Sequence, residues 1–227
     1  MSLNLVFGAT GYLGNAIKKG LETEKNISLG VSRKDTKGKF LKLEVKSDLN
    51  NWKIDKKSIT GVIWAQGLNS NDSVESFDSD SFNEIITANI SYIINTLNWM
   101  LESNLISNGA RLIIISSIWE KTSRANKLSY SVSKSALSGL VKSLAIDLAK
   151  KQISVNSVLP GVIESPMTHK NLTKSQISRI IKGTPLGKLI TTEMITNVCN
   201  FLLSEKSSGI TGQSILVDGG WTNSRFI

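Results

Sequence analysis

The sequence predicts an α/β protein in which helices cover both faces of a mainly parallel sheet. Short apolar runs alternate along the chain with longer stretches of helical period, as in strand–helix–strand units. Several short runs are apolar throughout, which is expected of strands that are covered on both faces. The 227 residues are 40% hydrophobic, and no linker or repeat divides them. We therefore expect residues 1–227 to form a single domain with one large core.

The predicted strands and helices follow one another in regular order. Strands are predicted at residues 3–7, 27–31, 40–45, 61–65, 112–115, 154–159 and 214–217. Helices are predicted at residues 12–22, 81–103, 130–150, 173–182 and 192–204. Between Arg33 and Gly61 too few residues remain for two helices and a strand, so one crossover there should be reduced to a turn. In helix 130–150, helical spacing predicts one broad apolar face formed by Val132, Ala136, Leu137, Leu140, Val141, Leu144, Ala145 and Leu148.

The amino-acid composition limits the compartments in which the protein can act and the partners that it can bind. The single cysteine, Cys199, excludes an internal disulfide framework, and its apolar surroundings predict a buried thiol. We expect a cytosolic protein, because neither a signal sequence nor an apolar run of membrane-spanning length is recognisable. The net charge of +9 suits an anionic substrate or an acidic carrier protein. The lysines are scattered over the chain without a basic run, however, so we favour a lysine-rich solvated surface and predict no nucleic-acid partner. We also predict no membrane partner and no metal site.

A glycine-rich turn joins the first predicted strand to the first helix. It reads Gly8-Ala9-Thr10-Gly11-Tyr12-Leu13-Gly14. Glycines at this position let the backbone approach a pyrophosphate, whose charge is stabilised by the positive end of the helix. The turn and its place in the chain therefore predict a doubly wound Rossmann fold that binds a dinucleotide.

The end of the second predicted strand bears on cofactor choice. Dinucleotide folds often place an acidic residue there to bind the ribose 2′-hydroxyl. This chain has Ser32, Arg33 and Lys34 instead, which suit a 2′-phosphate. We therefore predict NADP as cofactor, with NADPH favoured over NADH. Asp35 leaves the opposite preference open, if its carboxylate faces the ribose.

A tyrosine and a lysine four residues apart are the most informative pair. Tyr130 and Lys134 share one face of a predicted helix, where an ammonium group is expected to lower the pKa of a phenol. Ser117 ends the strand that precedes them, at the edge of the sheet where ligands bind, with Ser116 as its rival. Asn89 falls on a buried helical stripe, so its amide either holds backbone or belongs to a polar site.

In order and spacing, these residues resemble the short-chain dehydrogenase/reductase family. Two more stretches look like the family's, at residues 160–167 and 211–220, and the likeness spans almost the whole chain. It is greatest for the single-domain branch that includes 3-oxoacyl-(acyl-carrier-protein) reductases. Two motifs depart from that branch. The glycine spacing GxxGxxG is closer to the sugar-nucleotide-modifying branch, and Trp64-Ala65-Gln66-Gly67 stands where Asn-Asn-Ala-Gly is usual.

The resemblance implies hydride transfer between nicotinamide and a carbonyl or alcohol carbon of a small molecule. Tyr130 would be the proton donor, Lys134 would hold the nicotinamide ribose, Ser117 would bind the substrate oxygen, and Asn89 would position a water. The implied cofactor-binding residues are Gly8, Thr10, Gly11, Tyr12, Leu13, Gly14, Ser32, Arg33, Ala65, Gly67, Tyr130, Lys134, Pro160, Gly161, Ile163 and Ser165. A 3-oxoacyl thioester and a keto-sugar are the candidate substrates.

Several further expectations accompany this interpretation. Residues 167–189 should close over the substrate, Trp119 and Arg124 should shape its entrance, and His169 should lie on a mobile surface loop. The resemblance to the family implies a homodimer or homotetramer whose subunits pair through the helices near 81–103 and 130–150. Two alternatives stay open: a sugar-nucleotide epimerase or dehydratase, and a non-catalytic dinucleotide sensor.

Overall fold

Parallel strands form the centre of the molecule. A computed structural model of the protein describes residues 2–23, 26–33 and 40–224. Within these ranges the strands are β1 (Ser2–Phe7), β2 (Asn26–Ser32), β3 (Leu41–Lys42), β4 (Ile59–Trp64), β5 (Ile106–Ile115), β6 (Ser154–Pro160) and β7 (Ser214–Val217). They lie in the order β3-β2-β1-β4-β5-β6-β7, and every neighbouring pair is parallel. This is the doubly wound order, and it confirms the predicted fold class.

Helices cover both faces of the sheet. In the described ranges they are α1 (Tyr12–Leu21), α2 (Ser79–Ile86), α3 (Tyr92–Glu102), α4 (Leu128–Asp147), α5 (Pro166–Asn171), α6 (Lys174–Gly183) and α7 (Thr192–Leu203). Helices α1 and α7 lie on one face, and α3 and α4 lie on the other. The connection from β3 to β4, all of whose residues the structure describes, contains a 3-10 turn, Lys46–Asn51, and no α-helix. The crossover from β3 to β4 is therefore reduced to a turn, as predicted. Among all described residues, no helix has the length and apolarity needed to span a membrane.

Alternation along each strand divides the core into two layers. On β1, Leu5 and Phe7 pack in the layer that includes α3 and α4, whereas Val6 packs with α1 and α7. Strands of a parallel sheet need apolar residues on both faces for this reason. Cys199 of α7 is fully buried in the second layer, and burial raises the pKa of its thiol to about 12. It is the packed thiol that its apolar surroundings predict.

The structure differs from the predicted elements in two informative places. Strand β5 begins at Ile106 rather than at residue 112 as predicted; Gly109 has a φ of +76°, and the pairing with β4 shifts register nearby. The predicted helix 81–103 is interrupted by a π-helical segment, Thr87–Ser91, between α2 and α3. Such segments insert an extra residue into a helix and are frequent at functional sites. Asn89 lies inside this one.

Candidate active site

The glycine-rich turn is shaped by close backbone packing. Gly8 has a φ of +75°, and a Cβ atom on it would lie 2.7 Å from the backbone nitrogen of Gln66. A Cβ atom on Gly14 would lie 2.8 Å from the carbonyl carbon of Gly8. Gly11 is the N-cap of α1 and supplies no side-chain cap, so backbone N–H groups of the first turn stay available to a ligand. Side chains are therefore excluded where strand, helix and neighbouring loop meet.

A cleft of about 500 Å³ opens beside this turn. The predicted cofactor-binding residues that line it are Gly8, Thr10, Gly11, Ser32, Arg33, Ala65 and Gly67. Arg33 is exposed at the end of β2. Lys34 and Asp35, which also affect the predicted preference for NADPH over NADH, lie outside the described residues.

A second cleft, of about 680 Å³, lies at the carboxyl ends of β4, β5 and β6. It shares Ala65 and Gly67 with the first, so the two are neighbours. The other predicted residues that line it are Leu13, Ser117, Tyr130, Lys134, Pro160, Gly161, Ile163 and Ser165. Of the remaining predicted residues, Tyr12 is exposed, while Gly14 and Asn89 are buried behind the cleft surfaces.

The second cleft contains the tyrosine, the lysine and the serine. Tyr130 and Lys134 lie one turn apart on α4, with the lysine Nζ 5.7 Å from the centroid of the tyrosine ring. Lys134 Nζ donates a hydrogen bond to the carbonyl oxygen of Ile115, at 3.2 Å. Ser117 lines the same cleft, and its hydroxyl accepts a hydrogen bond from the Trp119 backbone N–H, at 3.3 Å. Ser116, the rival in the sequence, has a buried hydroxyl with no hydrogen-bond partner among the described residues.

Burial controls the titration of both groups. It lowers the pKa of Lys134 to about 8, and the negative charge of Glu120 opposes this shift. Burial raises the pKa of Tyr130, and the nearby Ser117 side chain acts in the opposite direction. The expectation that the phenol has a lowered pKa is therefore wrong for this structure, because loss of hydration on burial is the largest effect on it.

Asn89 connects the π-helical segment to the loop after β4. Its Oδ1 accepts a hydrogen bond from the Leu68 backbone N–H (2.8 Å), and its Nδ2 donates to the Leu68 carbonyl (3.0 Å) and to Ser133 Oγ (2.9 Å). The sequence left two roles open for Asn89, and the structure shows the first of them: its amide binds backbone groups. Gly67 lies between Asn89 and Lys134, because a Cβ atom there would be 2.9 Å from Asn89 Oδ1 and 3.7 Å from Lys134 Nζ. The water-positioning role stays a prediction.

A second lysine flanks the tyrosine, and sequence reasoning missed it. Lys127 is buried just before α4, with its Nζ 5.4 Å from the centroid of the Tyr130 ring. It donates hydrogen bonds to Asn69 Oδ1 (2.6 Å) and to the Ser70 carbonyl (2.7 Å). Asn69 lines the second cleft, so Lys127 fixes one wall of that cleft against the helix that carries Tyr130. Its sequence neighbours gave no sign of burial.

The entrance of the second cleft is partly aromatic. Trp119 lines the cleft and packs edge-to-face with Trp221, with ring centroids 6.0 Å apart. The Arg124 guanidinium lies 5.9 Å from the centroid of the Trp119 ring. Met167 of α5 also lines the cleft, whereas His169 on the same helix is exposed and contacts Glu164. His169 is thus a surface residue as expected, although it is helical.

The residues present fit a nicotinamide dinucleotide. The glycine turn leaves room for a pyrophosphate beside the N-terminus of α1, and two adjoining clefts can hold the two halves of the molecule. Gln66 lines both clefts, and its amide nitrogen and oxygen are buried with no hydrogen-bond partner among the described residues. Buried amides are normally paired, so this side chain is suited to a polar ligand. The residues that the structure describes include no group of three or more His, Cys, Asp and Glu side chains placed to bind a metal.

Solved structures share this architecture. A short-chain dehydrogenase family protein from Francisella tularensis superposes with a TM-score of 0.84 at 25% identity, covering 99% of this chain and 100% of that one. Gluconate 5-dehydrogenase of Burkholderia cenocepacia, solved with NADP and tartrate, gives a TM-score of 0.89 over 99% of this chain and 96% of its own, at 19% identity. The second likeness shows the fold alone.

Sequence comparison extends the likeness beyond the fold. A family model described as enoyl-(acyl carrier protein) reductase matches residues 46–222. The 3-oxoacyl-(acyl-carrier-protein) reductase FabG of Rickettsia felis is 31% identical over an alignment of 232 positions, gaps included, that covers 96% of this chain and 95% of that protein. FabG of Salmonella typhimurium is 29% identical, covering 95% of each. The chain therefore belongs to the short-chain dehydrogenase/reductase family, whose oxidoreductases use a nicotinamide cofactor.

Proposed function

We propose that this protein is an NADP(H)-dependent reductase of a small-molecule ketone, with a 3-oxoacyl thioester as the favoured substrate. The observation that carries the proposal is the position of Tyr130, which lines a cleft together with Ser117 and has the Lys134 ammonium beside its ring. This is an acid–base arrangement that faces a space large enough for a substrate. A dinucleotide sensor needs no such group.

The bound nicotinamide would supply the hydride that is added to the carbonyl carbon. The Tyr130 O–H would donate its proton to the carbonyl oxygen, so that the C=O group becomes CH–OH. Ser117 would donate a hydrogen bond to the same oxygen. The Lys134 ammonium, 5.7 Å from the ring centroid, would stabilise the phenolate that remains on Tyr130. General acid catalysis of this kind contributes about 10²–10⁴-fold.

The preference for NADPH rests on Arg33. Its exposed side chain lines the first cleft at the end of β2, where the ribose 2′-phosphate would be bound. A guanidinium forms strong, charge-assisted hydrogen bonds with phosphate. Ser32 lines the cleft beside it and suits the same phosphate.

The choice of a 3-oxoacyl thioester rests on the relatives and on the cleft. Two relatives that match over nearly their whole length are named as 3-oxoacyl-(acyl-carrier-protein) reductases. The second cleft has apolar residues at its wall and entrance, including Trp119, Ile163 and Met167, which suit an acyl chain better than a sugar. A keto-sugar is the alternative to be included in the same substrate panel.

A homodimer or homotetramer is the proposed assembly. Ile94 on α3 is 42% exposed, and Val132 and Ile146 on α4 are 44% and 76% exposed. Pairing of copies through these helices would cover such exposed apolar side chains. These helices are the ones through which the family relationship predicts that copies pair.

The test is turnover of NADPH with a panel of 3-oxoacyl thioesters, simple ketones and keto-sugars. Tyr130→Phe should abolish turnover and leave NADPH binding nearly intact, because only the transferable proton is removed. Ser117→Ala should reduce kcat, and Ser116→Ala is its matched control, because the buried Ser116 hydroxyl makes no hydrogen bond among the described residues. Activity of Tyr130→Phe within tenfold of wild type would exclude the acid role.

A further inference from the structure

Two tryptophans pack together outside the core of the protein. Trp119 lies in the 3-10 turn Ile118–Glu120, and Trp221 lies in the 3-10 turn Trp221–Asn223. Their rings meet edge-to-face, with centroids 6.0 Å apart. Both side chains are partly buried, but neither belongs to the two core layers that the described residues form. Aromatic residues mostly stabilise proteins by burial in cores and interfaces, so a pair held outside the core requires an explanation.

Trp119 lines the second cleft beside the group that would bind the substrate oxygen. Its backbone N–H donates the hydrogen bond to Ser117 Oγ, at 3.3 Å, and both Ser117 and Tyr130 line the same cleft. The atoms attached to a carbonyl group bound by these two residues would therefore lie near the indole ring. Ile163 and Met167 add further apolar surface to this cleft.

The Trp119 ring is held by contacts from outside the cleft. Neither Trp221 nor Arg124 lines the cleft, yet both contact Trp119. Trp221 makes the edge-to-face contact, and the Arg124 guanidinium lies over the ring, 5.9 Å from its centroid. Edge-to-face pairs and cations over aromatic rings are both attractive arrangements. The indole is therefore supported by the protein while it lines the cleft.

The turn that carries Trp221 is anchored on both sides of this residue. Asp218, which is buried, accepts a hydrogen bond from the Thr222 backbone N–H, at 2.7 Å. Ser224 Oγ donates a hydrogen bond to the carbonyl of Gly183, the last residue of α6, at 2.9 Å. The support of Trp119 thus has a fixed place in the fold.

We infer that Trp119 determines substrate specificity, as an apolar wall for an aliphatic chain attached to the reacting carbonyl, and that Trp221 is a positioning residue for this wall. The inference deepens the proposed function and rests on it, because it concerns the substrate of the same site. A flat ring can also pack against the C–H groups of a sugar. The side chains of Ile163 and Met167, however, offer almost no hydrogen bonding to a hydroxylated ligand, and burial of unpaired hydroxyl groups is costly.

The direct test measures ligand binding without turnover. Methyl ketones of increasing length, from acetone to decan-2-one, are titrated by calorimetry into the protein saturated with NADP⁺, which carries no hydride to transfer. Burial of a methylene group raises affinity by up to about fourfold, so the wild type should bind longer ketones progressively more tightly. Trp119→Ala should weaken the binding of decan-2-one by about tenfold and that of acetone by less than about twofold.

The supporting residue has its own variants. Trp221→Ala should cause part of the same selective loss for long ketones, and Trp221→Phe should restore affinity because it keeps an aromatic edge. Phe77→Ala is the matched control and should leave every affinity unchanged. Phe77 is 49% exposed, packs against another aromatic ring and lines neither cleft. A purely structural defect would weaken short and long ketones alike, and circular dichroism checks the fold of each variant.

Turnover provides a second readout. With 3-oxoacyl thioesters of increasing chain length, Trp119→Ala should raise KM for the long members by about tenfold and change kcat by less than about twofold. The reason is that the wall would contact the chain equally in the bound substrate and in the transition state.

The outcomes separate this inference from the proposed function. Wild-type affinity that does not rise with chain length, or an equal effect of Trp119→Ala on acetone and decan-2-one, would overturn the inference. So would a keto-sugar whose binding is weakened by Trp119→Ala while the ketones are unaffected. A selective loss for long ketones in a protein that reduces no carbonyl of the panel would support the wall and refute the proposed function. Reduction of thioesters without dependence on chain length would do the reverse.

Discussion

Replacement of the buried lysine should stabilise the protein while it removes activity. Burial lowers the pKa of Lys134 from 10.5 to about 8. The interval between these values corresponds to about 3 kcal/mol, at about 1.4 kcal/mol for each pH unit. This is the free energy that the folded protein loses at neutral pH by holding a charged ammonium group inside. Lys134→Met removes the charge and keeps an unbranched side chain of similar length.

Part of this gain is offset by a lost hydrogen bond. The Ile115 carbonyl accepts from Lys134 Nζ in the wild type and would lose that donor, at about 1 kcal/mol. The expected net stabilisation at pH 7 is therefore about 2 kcal/mol. For a protein of this size it corresponds to an increase in Tm of about 4–8 °C.

The gain should depend on pH in a defined direction. Between the folded pKa of about 8 and the unfolded value of 10.5, the unfolded chain binds more protons at Lys134 than the folded one. Wild-type stability from this group therefore rises with pH across that window, and the advantage of Lys134→Met should shrink. Below pH 8 the advantage should be fully present.

The assay is urea unfolding of both proteins at pH 7, 8 and 9.5, without cofactor. Lys142→Met is the matched control, because Lys142 is exposed on the same helix and its replacement should change stability by less than about 0.5 kcal/mol. A Lys134→Met protein that is less stable than wild type at pH 7 would refute the reasoning. It would show that the folded site fully compensates the buried charge.

Three further predictions concern recognition and assembly. Arg33→Ala should weaken NADPH binding by about 10- to 100-fold and leave NADH binding unchanged in a fluorescence titration, since a charge-assisted bond contributes about 1.5–3 kcal/mol; tighter binding of NADH by the wild type would contradict the assignment. If an acidic carrier is steered by the net charge of +9, kcat/KM for a carrier-linked substrate should fall between low and physiological salt, and a flat profile would exclude steering. Ile146→Glu should shift the protein towards monomer in analytical ultracentrifugation, because Ile146 is 76% exposed on α4; an unchanged assembly would place the contact elsewhere.

Much of the fold could be predicted because the strands carry an unambiguous signal. Apolar runs of strand length recur between helical stretches, and a parallel sheet follows from that alternation. The start of β5 could not be predicted in the same way. Residues 107–109, Ser-Asn-Gly, have the local preference of a turn, but pairing with β4 draws them into the strand and shifts the register there. Tertiary pairing outweighs local preference at this point.

The residues of the candidate site also differ in whether the sequence alone could predict them. Tyr130 and Lys134 are recognisable because helical geometry alone puts them on one face, and Ser117 because strands end at the ligand-binding edge. Lys127 and Glu120 follow no such rule. Both stand in a connection between β5 and α4 that reads as exposed, and both are buried only because other segments pack over them. The direction of the tyrosine pKa was mispredicted for a related reason: sequence spacing shows neighbouring charges but not loss of hydration.

Helix α4 shows how one element serves both core and site. The sequence predicts a single apolar face, yet Val132 is exposed, and the buried positions in the first turns are polar: Ser129, Ser131, Ser133 and Lys134. Further along, the buried positions are Leu137, Val141 and Ala145, as predicted. The change in character follows from what each half faces, because the first turns lie against the cleft and its loops, and the later turns lie against the sheet. Buried hydroxyl and amino groups are costly unless they are paired, so the first half depends on contacts such as that between Ser133 and Asn89. The apolar second half supplies the burial that holds the helix in place, and this allows a destabilising lysine to be kept beside Tyr130.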